Sequence, residues 1–171
     1  MTQNRVRAIL VVLFVGPPIA PLFQATRLPL VADTGTLARD LLSHYICPTP
    51  AKSYMLLGFP MAVCARCWGA TIGLWAAWLA FQATNDEGRP RKAWIGHVVV
   101  RLLRSYLRLH WILQLAMSVL PFWLWAAEIT WWPTAPYWLL LLNGAFAGLW
   151  AGLFFGSIRS GIISASQDLS E

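Results

Sequence analysis

Four apolar runs of nearly membrane-crossing length, with the charges gathered between them, constrain this chain more than any other feature. They extend from about Ala8 to Phe23, from about Val63 to Phe81, from about Trp111 to Ala127 and from about Tyr137 to Ser157. A bilayer core takes about 20 mostly apolar residues per helix, so each run reads as a transmembrane helix. Only 12% of the 171 residues are charged and 58% are hydrophobic, against about 25% and about 45–50% in ordinary soluble domains. That charge cannot cover a water-facing globule, which excludes a soluble enzyme and a disordered chain. The expected fold is all-α: one polytopic membrane domain over residues 1–171, with four transmembrane helices.

The first run is interrupted by Gly16, Pro17 and Pro18 and followed by Pro21. Prolines remove amide donors and kink a helix. Arg5 and Arg7 ahead of a short apolar stretch also suit a signal peptide; a retained, kinked helix is the preferred reading.

Lys and Arg resist translocation, so their placement orients the spans. Arg5, Arg7, Arg89, Arg91, Lys92, Arg101, Arg104, Arg108 and Arg159 fall on one side, and Arg27, Arg39 and Lys52 on the other. This asymmetry predicts both termini on the cytoplasmic side of the membrane. It leaves an outer capping segment over residues 24–62 and an inner basic segment over residues 82–110. Trp123, Trp125, Trp131, Trp132 and Trp138 flank the short outer loop as interfacial anchors.

The inner segment opens with a polar turn, Asn85 to Arg91, and continues with His97, Arg101, Arg104 and Arg108 on one helical face. This pattern predicts a basic amphipathic helix lying in the interface against anionic lipid, or the cytoplasmic extension of the third span. In both readings Arg101, Arg104 and Arg108 face lipid headgroups and carry no catalysis. The basic residues form no stripe interleaved with aromatics, so nucleic acid is excluded as a partner.

Gly144, Gly148, Gly152 and Gly156 repeat every four residues along the fourth run, and Ala65, Gly69, Gly73 and Ala77 do so along the second. Small residues at this spacing let helix backbones approach closely, a main source of association in lipid. The two stripes are expected to meet each other, with packing against a second protein as the alternative. Asn143, Gln114, Glu128 and Arg66 are the costly polar groups within or at the ends of the spans. Arg66 and Glu128 lie at similar depth, which suits an ion pair joining the second and third spans, or separate snorkelling to the headgroups.

All three cysteines and one of the three histidines fall in one window: His44, Cys47, Cys64 and Cys67. The spacing, His-x2-Cys and then Cys-x2-Cys, suits a Cys3His metal site, with zinc or iron as the implied ion. On the outer face a disulfide competes with metal, because free thiols there oxidise. Small apolar packing near a helix end is the third reading. The tetrapeptide Cys64-Ala65-Arg66-Cys67 also stands alone as a redox pair, its thiolate favoured by a helix N-terminus and by Arg66. Together with the four spans it resembles the quinone-reducing, disulfide-generating enzymes of bacterial membranes. Those enzymes relay electrons from a further outer cysteine pair, where this chain has Cys47 alone.

The stretch His44-Tyr45-Ile46-Cys47-Pro48-Thr49-Pro50, then Lys52-Ser53-Tyr54, Gly58 and Val63-Cys64-Ala65-Arg66-Cys67-Trp68-Gly69, resembles the signature of a family of small predicted bacterial membrane proteins. That family is called domain of unknown function 2085. The likeness covers roughly Ile46 to Gly73 and centres on Cys-Ala-Arg-Cys-x-Gly. Pro48 stands where many members have His, Lys52 where they have Arg and Trp68 where they have Thr. The resemblance implies a polytopic membrane protein and supplies no activity.

No phosphate-binding loop, dinucleotide fingerprint, nucleophile elbow, HExxH or CxxCH occurs. The expectation is a non-catalytic integral membrane protein, an accessory or assembly subunit whose partners are the bilayer and other membrane subunits. Its Cys/His cluster acts as a structural metal site or disulfide clamp. The alternative is a thiol-disulfide oxidoreductase working on Cys64 and Cys67, assisted by Arg66.

Overall fold

The computed structural model describes residues 3–45, 47, 49–85 and 94–168. Within them the chain forms α1 (Gln3–Ala25), α2 (Pro29–Tyr45), a two-stranded hairpin of β1 (Met55–Leu56) and β2 (Phe59–Pro60), α3 (Ala65–Asn85), α4 (Trp94–Leu107), α5 (Trp111–Trp131) and α6 (Tyr137–Asp168). Three segments are long and apolar enough to cross a membrane: Asn4–Ala25, Trp111–Trp131 and Tyr137–Ile158. The expected second span is present as the 21-residue α3 but is not among the three, because Arg66, Trp, Gly, Thr and Gln residues dilute its apolar composition. The expected turn from Asn85 to Arg91 lies, from residue 86 on, outside the described residues.

Helix pairing is dominated by α3 against α6, and the reason is the spacing of small residues. A Cβ on Gly69 would collide with the Leu141 carbonyl, on Gly73 with that of Ala145, on Gly144 with that of Arg66, and on Gly148 with that of Ala70. The two stripes therefore face each other with backbone against backbone, a separation that only glycine permits. Further along, Gly152 faces the Ala77 methyl and Gly156 the Phe81 ring. The contact thus widens from backbone to side chain toward the C-terminal end of α3.

The α1 helix runs through Pro17, Pro18 and Pro21 without ending. Pro17, Pro18 and Pro21 cannot donate to Leu13, Phe14 and Pro17, so three carbonyls lose their helical donors. Those of Phe14 and Pro17 are taken from outside. The Trp68 indole donates to the Phe14 carbonyl at 3.1 Å, and the Ala62 amide donates to the Pro17 carbonyl at 3.3 Å. One turn earlier the Trp75 indole donates to the Leu10 carbonyl at 3.0 Å. The prolines thus create acceptors that dock α3 and its preceding loop onto α1.

The capping segment begins as α2, which packs on α1 where Gly35 lies against Ala20, Phe23 and Gln24. It ends in the hairpin, where Met55 pairs with Pro60 and Leu56 with Phe59. Leu57 (φ 52°) and Gly58 (φ 85°) both take positive φ, the signature of a two-residue type I′ turn. The Met61 amide extends the ladder to the Tyr54 carbonyl. At the other end of the bundle, α4 buries Val100, Leu103 and Tyr106 and exposes Arg101, Leu102 and Arg104, and Arg108 is exposed just past its end. It is amphipathic, as its sequence predicts; the side chain of His97 lies outside the described residues. Gln114 joins three helices there, donating to the carbonyls of Tyr106 and Leu109 and accepting from Ser157.

Candidate metal centre

Two segments bring the three cysteines together. Cys47 follows α2, and its amide is tied to the Leu42 carbonyl at 3.1 Å, so the end of α2 sets its position. Cys64 stands immediately before α3 and its carbonyl accepts from Trp68, which makes it the N-cap residue of that helix. Cys67 lies one turn inside. The Cys64 amide donates to the Cys47 sulfur at 3.2 Å, and the sulfurs of Cys64 and Cys67 are 3.4 Å apart. All three sulfurs lie within 4.8 Å of one another, and no disulfide joins them.

The electrostatics favour one thiolate. The neighbouring thiols of Cys47 and Cys67 hold the Cys64 thiol well below its usual range, helped by the Cys67 amide and the nearby Thr49 hydroxyl. The Cys64 thiolate in turn pushes the Cys47 thiol up, and burial adds to that effect. A thiolate at a helix N-terminus also meets the positive end of the helix dipole. The trio therefore carries one thiolate, on Cys64, beside two thiols that keep their protons.

Met61, Ala62, Val63 and Ala65, on either side of Cys64 in the chain, are buried with it, and Cys64 is itself 0% exposed. Tyr54 sits against Trp68 and Tyr137 with ring centroids 6.2 and 5.4 Å apart, and Lys52 donates to the Pro133 carbonyl across the mouth of the bundle. The capping loop is thus tied to α3 by sulfur and to the α5–α6 connection by Lys52.

His44 does not join the sulfurs. It is exposed in the last turn of α2, its ring edge-on to Tyr45 at 4.8 Å, and no His, Asp or Glu ligand atom among the described residues completes the group. The spacing His-x2-Cys places His44 three residues before Cys47, but Cys47 has left the helix that carries His44. Sequence reasoning missed Thr49, whose hydroxyl lies near the Cys64 thiol; nothing in its spacing marks it.

Beside the sulfurs lies a second polar group. Arg66, 1% exposed, donates from Nε to Glu128 Oε2 at 3.3 Å, and Glu128 is 8% exposed. Asn143 donates to the same oxygen. One carboxylate therefore joins α3, α5 and α6. Its Oε1, the two terminal nitrogens of Arg66 and the Trp125 indole nitrogen are buried without hydrogen-bond partners. Arg66 is turned toward α5 and α6, so its side chain belongs to the helix joint.

The sequence profile of a family described as a predicted membrane protein, domain of unknown function 2085, matches residues 47–154. The match takes in all three cysteines, Arg66, Glu128 and both glycine stripes up to Gly152. No curated protein and no solved structure matches the chain.

Proposed function

This chain belongs to the family of predicted membrane proteins called domain of unknown function 2085, and we propose that its three-cysteine cluster is a metal clamp in a non-catalytic membrane subunit. One observation carries this reading: three sulfurs from two sides of the capping loop converge within 4.8 Å. A disulfide uses two sulfurs and leaves the third idle, whereas a metal ion uses all three. Thiolates are the ligands that zinc and iron–sulfur centres take, and zinc or iron is the ion first expected. The clamp holds the loop between α2 and α3 on the outer end of the bundle, where it offers a rigid surface to a partner subunit.

In this reading α3 is a fourth span, paired along its length with α6. Its 21 residues rise about 31 Å at 1.5 Å each, close to the ~30 Å hydrocarbon thickness. Both termini then lie on the cytoplasmic side of a bacterial inner membrane, with Arg101, Arg104 and Arg108 against its anionic lipid. The exposure of all three arginines supports that assignment.

The 3.4 Å separation of the Cys64 and Cys67 sulfurs favours a second reading, a thiol-disulfide oxidoreductase acting through that pair. Two measurements separate them. Metal analysis of the purified protein beside Cys64→Ser finds stoichiometric metal in the first and none in the second if the clamp is correct. Quinone-dependent oxidation of a dithiol, abolished in Cys67→Ser, establishes the enzyme instead. A metal-free wild-type protein without that activity refutes both.

A further inference from the structure

The metal-clamp reading leaves the kind of ion open, and the donor set narrows it. Resting on that reading, we infer that the cluster is a three-coordinate sulfur site for a soft monovalent ion of the cuprous class, not a four-coordinate zinc site. The ligand atoms that converge are three sulfurs, and among the described residues no imidazole or carboxylate joins them. His44, the one candidate for a fourth ligand in the window, is exposed on α2 with its ring against Tyr45.

Zinc in structural sites takes four ligands in a tetrahedron, and with three from protein it needs water or substrate in the fourth place. Water reaches the group only from the Cys67 side: Cys47 and Cys64 are buried and Cys67 is half-buried, and Met61, Ala62, Val63 and Ala65, which flank Cys64 in the chain, are buried apolar residues. Cuprous copper is a closed-shell ion that soft thiolates select and that demands no fourth ligand. A metal–sulfur distance of about 2.3 Å sets three sulfurs around a trigonal ion about 4 Å apart, between the 3.4 and 4.8 Å seen here. On binding, each ligating thiol that carries a proton releases it to solvent while the ion keeps its oxidation state, so no external oxidant or reductant is needed. The amides at the start of α3 face the resulting negative charge.

The test uses the full chain in detergent, reduced and free of oxygen. Cuprous ion is delivered from a chromogenic chelator in one arm and zinc chloride is added in the other. The expected result is one cuprous ion per chain, with X-ray absorption showing three sulfur neighbours and no light-atom neighbour. Excess zinc leaves this ion in place, His44→Ala binds it equally well, and Cys47→Ser loses it while keeping its helical circular dichroism. Zinc that displaces the cuprous ion, or zinc binding that collapses in His44→Ala, overturns the inference and leaves the clamp standing. A folded chain with three reduced thiols that holds neither ion overturns the clamp itself.

Discussion

The indole of Trp68 donates to the carbonyl oxygen of Phe14 at 3.1 Å, and that carbonyl is free because Pro18, four residues on, has no amide proton. Their rings also stack, with centroids 5.6 Å apart. Three prolines within one membrane helix thus act as a docking edge. The freed carbonyls would otherwise sit unsatisfied in lipid, at a cost of several kcal/mol each.

Trp68→Phe keeps the ring against Phe14 and removes the donor. It should destabilise the protein by about 1–3 kcal/mol, the range for leaving an acceptor unmet away from water. In a Pro18→Ala background the helix supplies its own donor to Phe14, and Trp68→Phe should cost distinctly less. Unfolding in detergent across this double-mutant cycle measures the coupling; equal costs in both backgrounds would show that the bond is immaterial.

Breaking the buried ion pair should cost more. Glu128→Gln leaves Arg66 charged at 1% exposure, and removal of one partner of a buried pair typically costs about 3–5 kcal/mol. The double replacement Arg66→Met with Glu128→Leu removes both charges and should recover most of that loss. Thermal unfolding of the two variants beside wild type decides it, and a Glu128→Gln protein as stable as wild type rules the pair out as a helix joint.

Glycine tolerance should follow what each Cβ would meet. Gly73→Ala and Gly148→Ala drive a methyl into a facing carbonyl, so α3 and α6 must separate, with a loss of at least about 1–3 kcal/mol as for other overpacked sites. Gly16→Ala meets nothing within 4 Å and should be neutral or stabilising by up to about 1 kcal/mol from helix propensity. Comparable melting shifts at all three positions would contradict the backbone contact.

The depressed Cys64 thiol has a pH signature. A group whose folded value lies below its unfolded value adds stability that is present above the unfolded value and lost as pH falls through the folded one. The metal-free protein should therefore keep one thiolate, visible in its ultraviolet absorbance, well below the pH at which ordinary cysteines protonate, and Cys64→Ser should lack it. A thiolate band that fades in the ordinary cysteine range would show that Cys64 receives no such help from Cys47 and Cys67.

Much of the architecture was legible in the chain because it depends on local periodicity. Of the four apolar runs read as spans, three are membrane-length apolar helices; the four-residue glycine spacing marked the faces that meet, and the similar depth of Arg66 and Glu128 allowed their pairing without deciding it against separate snorkelling. The amphipathic pattern of Arg101, Arg104 and Arg108 marked α4 in the same way. The 17-residue α2 inside the capping segment was not legible, because Asp, Thr, Gly and Arg weaken its apolar stripe and its stability comes from lying on α1.

Periodic apolar and small-residue spacing by itself determined that this is a helical membrane protein with two glycine faces, since a helix repeats whatever lies around it. Which donors gather at the start of α3 was decided only in three dimensions. Cys47 reaches Cys64 and Cys67 because the chain leaves α2 just after Tyr45 and turns back over the end of α3, and that same departure carries His44 away from the sulfurs. Spacing in sequence measures distance along the chain, whereas a ligand set depends on where separate segments come to rest against one another.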